Sequence, residues 1–523
     1  MPDLPDVLVG LDVGTSAVKG VAISPDGDVV ATADESYPLS TPRPGWAEQD
    51  PEVFWAALGQ ACRSAMSDPK VQPGSIAGVA LTTQRGTVVV TDADGVPIRP
   101  AIVWLDDRRT DGLPPFGGIS GLTALAFRVL GLRDTIDTFA SSAESQWLRR
   151  HEPDSWRAIR HYLFLSGWLL YRMTGRFVDS SAAQVGYVPF DYRRFRWAAD
   201  GDWRWTVSPV DREWLPELVP PTEAMGGLTG GSASHLGLPA GLPVISAAAD
   251  KACEVLGSGA ITPEVAAISY GTAASVNTTM DRYVEAIPLV PPFPSAVPGA
   301  WSLEIQVYRG YWLVEWFKRE FGATEVTNAA AMGVEPEALF DELASSVPAG
   351  SMGLTLQPYW SPGIRVPGPE AKGAVIGFGD VHTRAHLYRA ILEGLAYALR
   401  DGLERTSRRT RVVARQLRIA GGGGQSPVAI GLTADIFGLP VARVHTHEAS
   451  GLGAAIDAAV GLGIHTDIAS AVDAMVHVSD VRDPDPVTHA RYDDLYRSVY
   501  RRMYGRLRPL YRDIRRITGY PPG

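Results

Sequence analysis

Leu8-Val9-Gly10-Leu11-Asp12-Val13-Gly14-Thr15-Ser16-Ala17-Val18-Lys19-Gly20-Val21-Ala22-Ile23 is two apolar runs on either side of a glycine turn. That pattern reads as a β-hairpin. A Gly-Thr-Ser turn can bring backbone N–H groups and hydroxyls close to an anion. Asp12, at the end of the first run, is a carboxylate of the kind that anchors a hydrated Mg2+ together with phosphate oxygens. One such turn is weak by itself, since most glycine turns are only turns.

The pattern recurs half a chain later in Ala266-Ala267-Ile268-Ser269-Tyr270-Gly271-Thr272-Ala273-Ala274-Ser275-Val276. Gly271-Thr272 lines up with Gly14-Thr15, and Ser269 with Asp12, so the acid belongs to the first copy alone. A repeat at this separation suggests two similar domains facing one another across a cleft. The pairing resembles the actin/hexokinase-like ATPase superfamily, in which the two turns hold phosphates from opposite sides.

The chain has 523 residues, which suits two large domains better than one core. Its 58 acids against 48 bases give a formal net charge of -10, which favours neither nucleic acid nor an anionic membrane as a partner. No run of apolar residues reads as a membrane span, and the start does not read as a signal peptide, so cytoplasm is the expected location. The 2 cysteines, Cys62 and Cys253, make neither a disulfide framework nor a zinc cluster. His382 and His386 lack a third ligand at metal spacing.

Along the chain, Asp50-Pro51 opens a helix, with Phe54, Leu58, Ala61 and Cys62 on its apolar face. A short apolar strand ends at Thr82-Thr83-Gln84-Arg85-Gly86. Another, Ala101-Ile102-Val103-Trp104, ends at Leu105-Asp106-Asp107-Arg108-Arg109. Polar residues at strand ends are where an α/β domain keeps its site; solvated turns are the plainer alternative. Arg85 and Arg109 could hold a phosphate or pair with an acid. Trp104 could cover a sugar face or belong to the core. Residues 112–175 read as helical, including an amphipathic stretch over 156–173. The strand Leu242-Pro243-Val244-Ile245 runs through small residues to Asp250, at or near a helix start, where a cap is the alternative to catalysis. Residues 288–298 read as a proline-rich loop. Residues 301–322 read as one aromatic-rich amphipathic helix for a core or a subunit interface, which leaves a homodimer open. Leu417-Arg418-Ile419-Ala420 opens into Gly421-Gly422-Gly423-Gly424-Gln425-Ser426-Pro427 and a helix. That is a cradle through which the backbone can approach a base or phosphate without Cβ atoms in the way. It is neither a Walker A loop nor a dinucleotide fingerprint. Glu448-Ala449-Ser450-Gly451-Leu452-Gly453-Ala454-Ala455 leads into a small-residue helix that must pack closely. A tyrosine stripe, Tyr492, Tyr496, Tyr500 and Tyr504, reads as an amphipathic closing helix.

Taken in order, these segments, with Tyr388-Arg389-Ala390-Ile391-Leu392-Glu393-Gly394, resemble the FGGY carbohydrate kinase family over nearly the whole chain. The resemblance implies an α/β fold of two actin-like (ribonuclease H-like) domains, each with a duplicated mixed-sheet core, around an inter-domain cleft. It divides the chain into residues 1–253, with the first phosphate loop and the sugar side, and 254–523, with the second loop and the adenosine side. It implies transfer of the γ-phosphoryl of Mg-ATP to a hydroxyl of a ketose or polyol, with ATP and Mg2+ as cofactors. Asp250 would be the general base and Asp12 would lie near Mg2+. Thr15, Ser16 and Lys19 would form the first phosphate loop, and Gly271 and Thr272 the second. Gly421, Gly422, Gly423 and Gln425 would lie on the nucleotide side, and Gln84, Arg85 and Trp104 on the substrate side.

The sequence departs from the family at three places. Gly86 stands where glycerol kinases carry Glu and xylulose kinases His. Lys251 follows the expected base where an uncharged polar residue is usual, and either supplies a donor or faces solvent. Gly431 stands where a Gln is usual. The first two departures point away from glycerol and D-xylulose. A chaperone- or cytoskeleton-type ATPase without a sugar acceptor is the alternative class, and a sugar sensor without catalysis a further one.

Overall fold

The computed structural model describes residues 7–286, 290–361, 363 and 367–520. Pro288 in the proline-rich loop lies outside the described residues.

The opening hairpin forms as its pattern requires. Strand Val7–Val13 pairs antiparallel with Ala17–Ile23, placing Asp12 opposite Lys19, and the turn closes through Gly14 N–H to the Ala17 carbonyl at 3.0 Å. Ala17–Ile23 pairs antiparallel with Val29–Ser36. On the other side, Val7–Val13 runs parallel to Ile76–Thr83, which runs parallel to Pro243–Ser246, with Ala224–Gly227 antiparallel at the edge. Strands buried on both faces need near-continuous apolar runs, and Val7–Val13 and Ile76–Thr83 have them.

The second sheet repeats the arrangement. Val265–Tyr270 pairs antiparallel with Ala274–Met280, and that strand with Trp301–Val307. Val265–Tyr270 also runs parallel to Gln416–Ala420, then Val441–Val444, with Val478–Arg482 antiparallel at the edge. Two α/β domains with mixed sheets of the same strand order are the duplicated, actin-like core the sequence suggested. The first sheet's strands end at Ser246 and the second's begin at Val265. Between them, helix Asp250–Gly257 runs through the expected division at 253/254.

Helix Pro51–Met66 covers one face of the first sheet, with Asp50 accepting from Glu52 N–H as its cap and Cys62 buried in its core. The other face is covered by a helix from the second half, Ala449–Gly461. That crossing depends on small residues. A Cβ on Gly451 would stand 3.0 Å from a Val21 methyl, one on Gly10 2.4 Å from the Gly451 carbonyl oxygen, and one on Gly453 1.9 Å from that of Cys253. The small-residue run therefore lets helices Asp250–Gly257 and Ala449–Gly461 cross in backbone contact and ties the two halves together.

Three sequence readings are corrected. Residues 301–322 are not one helix: Trp301–Val307 is a strand, a turn follows, and only Trp312–Phe321 is helical. Aromatic and β-branched residues favour a pleated surface, and here alternation overrides the helical pattern. The 156–173 stretch is likewise broken by strand His161–Phe164, between helices Pro153–Ala158 and Leu165–Thr174. Beside the first strand ends, only Ala101 and Ile102 are extended. The tyrosine stripe is helical throughout: Pro486–Leu495, a wider turn over Tyr496–Tyr500, then Arg501–Thr518, with Tyr492, Tyr496 and Tyr500 in the second core.

One buried acid outside the site has a measurable consequence. At the start of helix Glu144–His151, burial pushes the Glu144 carboxyl from 4.5 up to about 8, and its Oε2 has no hydrogen-bond partner among the described residues. The native state thus keeps a proton that the unfolded chain releases, and stability is lost as pH rises from 4.5 to about 8. Glu144→Gln cannot ionise, so its melting temperature should gain on the parent's as pH rises through that window. Parallel melting curves at every pH would contradict the assignment.

Candidate active site

The Gly14-Thr15-Ser16 turn is braced by three hydrogen bonds. The Tyr37 hydroxyl donates to the Gly14 carbonyl oxygen, Tyr37 N–H donates to the Ser16 carbonyl, and the Trp104 indole N–H donates to Thr15 Oγ1 at 2.9 Å. Trp104 is 42% exposed, so it is not the core tryptophan that sequence allowed; it joins the loop that follows Ile102 to the Gly14-Thr15-Ser16 turn. Lys19, opposite Asp12, holds both carboxylate oxygens of Glu448 at 3.0 and 2.9 Å. His447 Nε2 lies 3.0 Å from the same carboxylate.

Asp12 lies at the parallel seam, in register with Thr82. Burial, and after it the Asp250 carboxylate, push its carboxyl up to about 7 against the opposing pull of Lys19. Its Oδ1 is buried without a partner among the described residues. No group of three metal-ligating side chains occurs among those residues. Mg2+ suits this setting, because it is bound through one or two carboxylates with waters and phosphate oxygens rather than by an all-protein cage. The orphaned Asp12 oxygen would supply one such ligand.

Asp250 is the first residue of helix Asp250–Gly257. The cap position is Ala249, whose side chain caps nothing. Asp250 Oδ1 accepts from Lys251 N–H at 2.6 Å. Burial raises the Asp250 carboxyl, and Arg85 and Lys251 pull it back. Gln84 is 3% exposed, and both its amide Nε2 and its Oε1 lack partners among the described residues. A buried amide is costly to leave unpaired, so both amide atoms of Gln84 are available to a polar group. Arg85 reaches across to the second half and pairs with both oxygens of Glu304 at 2.8 and 3.1 Å, its guanidinium 5.2 Å above the Phe293 ring. Burial alone would raise the Glu304 carboxyl, but Arg85 outweighs it and holds it low.

Lys251 does not face solvent. Its Nζ donates to Ser269 Oγ at 2.8 Å and pairs with Glu254 Oε2 at 2.5 Å. Burial disfavours its ammonium, yet Glu254 and Asp250 outweigh burial and keep it charged. Gly86 has φ +67°, and a Cβ there would stand 3.5 Å from the Val185 carbonyl oxygen and 3.8 Å from the Trp104 Cβ. The backbone as well as the missing side chain sets this position apart.

In the second half, the glycine run begins at Gly421 with φ +81°, where a Cβ would press on the Tyr270 backbone, the residue before the second phosphate turn. A small open cavity beside it is lined by Gly421, Gly424, Gln425, Arg443, His447 and Ala449, among others. Gly423 instead backs onto the Tyr311 ring, and beside Gly422 there is open space. Asp106 and Arg109 part company. Asp106 is locked to Arg108 at 2.6 Å beneath Trp46, which Arg108 covers at 3.9 Å, while Arg109 is exposed.

Sequence reasoning did not single out Glu254, Glu304 or Arg108. Glu304 carried a faint signal, the lone acid among the alternate polar positions Ser302, Glu304 and Gln306 of its strand.

The arrangement gathers Asp12, Asp250, Glu254, Glu304 and Glu448 against Lys19, Arg85 and Lys251 where the two halves meet. Comparison with known proteins identifies the family. Residues 7–257 match the N-terminal domain, and 266–462 the C-terminal domain, of the FGGY family of carbohydrate kinases. A xylulose kinase of Staphylococcus epidermidis is 28% identical over 520 residues, 98% of this chain and 99% of that protein. The uncharacterized sugar kinase YgcE of Escherichia coli is 30% identical over 501 residues, 94% of this chain and 92% of that one. The crystal structure of xylulose kinase from Rhodospirillum rubrum superposes with a TM-score of 0.79 at 26% identity, covering 97% of this chain and 100% of that one. That of gluconate kinase from Lactobacillus acidophilus, at 21% identity and the same TM-score of 0.79 over 99% of both chains, shares the fold. The chain belongs to the FGGY family of carbohydrate kinases.

Proposed function

We propose that this protein transfers the γ-phosphoryl of Mg-ATP to a hydroxyl of a neutral ketose or polyol, with Asp250 as general base. The observation that carries the reading is an orphaned buried Asp12 oxygen close enough to feel Asp250, which heads a helix and is acted on by Arg85 and Lys251.

In this reading Thr15, Ser16 and Lys19 approach the phosphates from the first half and Gly271 and Thr272 from the second. Gly421 and Gln425 line the nucleotide side with Gly422 and Gly423 beside them. Lys19 exchanges Glu448 for phosphate oxygens when nucleotide enters. Asp12 would hold Mg2+, which when bound neutralises the phosphate charge that builds up in transfer. Gln84, Arg85 and Trp104 hold the acceptor. Its hydroxyl oxygen attacks the γ-phosphorus. The bond to the β,γ-bridging oxygen breaks, its electron pair leaves on ADP, and the hydroxyl proton passes to the Asp250 carboxylate. A carboxylate raised by burial is the better base for that proton. Closure of the two halves excludes water, so that the sugar wins over hydrolysis.

Relatives named as xylulose and glycerol kinases set the range of acceptors to test. Gly86 and Lys251 support an acceptor other than glycerol or D-xylulose. A coupled ADP-release assay over tetroses, pentuloses, hexuloses and polyols should therefore give its highest kcat/KM elsewhere in the panel. Best use of glycerol or D-xylulose would contradict this part of the reading.

A further inference from the structure

We infer that Lys251 is a further catalytic residue, whose ammonium contacts the phosphoryl group as it passes between Asp250 and the Gly271-Thr272 turn. The inference rests on the kinase reading above, and on the near-symmetry of the two hairpins.

Asp12 ends the first strand of one hairpin, and Ser269 is its counterpart in the other, each two residues before a Gly-Thr turn. At the first position the chain places a carboxylate with a free buried oxygen, suited to a metal ion. At the second, where no acid stands, it places the Lys251 ammonium, 2.8 Å from Ser269 Oγ. Each of the two turns would thus have a positive charge at its base, one through the cation that Asp12 would hold and one through a side chain. An ammonium has three donors. Ser269 and Glu254 take two of them, and the third remains for a ligand.

The surroundings explain why the ammonium is there. Asp250, Glu254 and Glu304 all lie close enough to act on Lys251, and the Asp250 carboxylate in turn acts on Asp12. A triphosphate entering such a cluster meets like charge. Arg85 is committed to both oxygens of Glu304, which leaves Lys251 as the cation beside the base. Fixed positive charge aimed at where charge develops is the main source of rate in phosphoryl transfer. The same layout fits a neutral acceptor better than a sugar acid, because each cation here already faces a carboxylate of the chain.

The plainer alternative is that Lys251 only neutralises Glu254. The test compares Lys251→Gln, Lys251→Arg and the double variant Lys251→Gln/Glu254→Gln, which leaves no unpaired carboxylate at that position. For each, kcat is measured with the parent's best acceptor, and binding of ADP is measured with and without aluminium fluoride, a mimic of the transferring group. Loss of a transition-state donor costs about 10²–10³-fold in kcat. That loss is expected in both glutamine variants. Their affinity for ADP alone should stay within a few-fold of the parent's, the gain from aluminium fluoride should disappear, and Lys251→Arg should recover part of both. If Lys251→Gln alone fails to fold, the double variant decides. A double variant that turns over near the parent's rate, with aluminium fluoride binding retained, would overturn the role of Lys251 while leaving the kinase reading in place. A parent that transfers phosphate to no acceptor would remove both.

Discussion

Asp250→Asn should lower phosphoryl transfer by about 10²–10⁴-fold, the usual contribution of a positioned general base, while leaving Mg-ATP binding largely unchanged. A sugar hydroxyl is a poor nucleophile until its proton has somewhere to go. Asp250 stands at the head of its helix after a buried strand, with Arg85 and Lys251 as the cations that act on it. Asparagine keeps the shape and removes the base. The alternative role, a helix cap, predicts otherwise. Asparagine caps about as well as aspartate, and the cap position here is Ala249, so a capping Asp250 would lose neither stability nor turnover on this change. Measuring kcat, nucleotide Kd and melting temperature on one preparation separates the two. A kcat within a few-fold of the parent's would remove Asp250 from the base's role.

The second large effect is expected at Asp12. Asp12→Ala should abolish the Mg2+ dependence of nucleotide binding. Losing a mere outer-shell partner of a metal ligand costs about 10–100-fold in affinity, so losing the carboxylate itself should cost at least as much. The fold should survive, because Asp12 brings a buried Oδ1 that no described residue satisfies. Removing such a group relieves a desolvation cost rather than breaking a bond. With metal chelated, the variant should therefore melt no lower than the parent, and Mg2+ should raise the melting temperature of the nucleotide-bound parent alone. A variant that binds ATP with undiminished Mg2+ dependence would place the metal elsewhere.

Local structure was legible where the chemistry is local. The Gly14 turn needs only its flanking apolar runs, the helix at Pro51 only its Asp50 cap, and the glycine run only its strand and helix; each stands where the sequence put it. The charge pairing of the site was not legible, because its partners are remote: Lys19 and Glu448 are 429 residues apart, and Arg85 and Glu304 are 219 apart. Nothing near Arg85 says whether it meets a phosphate or an acid. Lys251 could be read as facing solvent because its partner Ser269 stands 18 residues on, in the strand beyond its own helix. The misread stretch over residues 301–322 has the same cause. Its aromatic residues suit a strand or a helix, and pairing with Ala274–Met280 decided for the strand. Gly86 was visible as a departure, but its positive φ could be seen only in the fold.

The central claim is that phosphate goes to a sugar or polyol and not to water. The most direct measurement follows ADP, inorganic phosphate and sugar phosphate together by phosphorus NMR, with Mg-ATP and each acceptor of the panel in turn. The account predicts that one acceptor accelerates ADP formation and that its phosphate ester appears in step with ADP, with little inorganic phosphate. ADP matched by inorganic phosphate at the same rate whatever sugar is present would contradict it and identify a sugar-independent ATPase of the same superfamily.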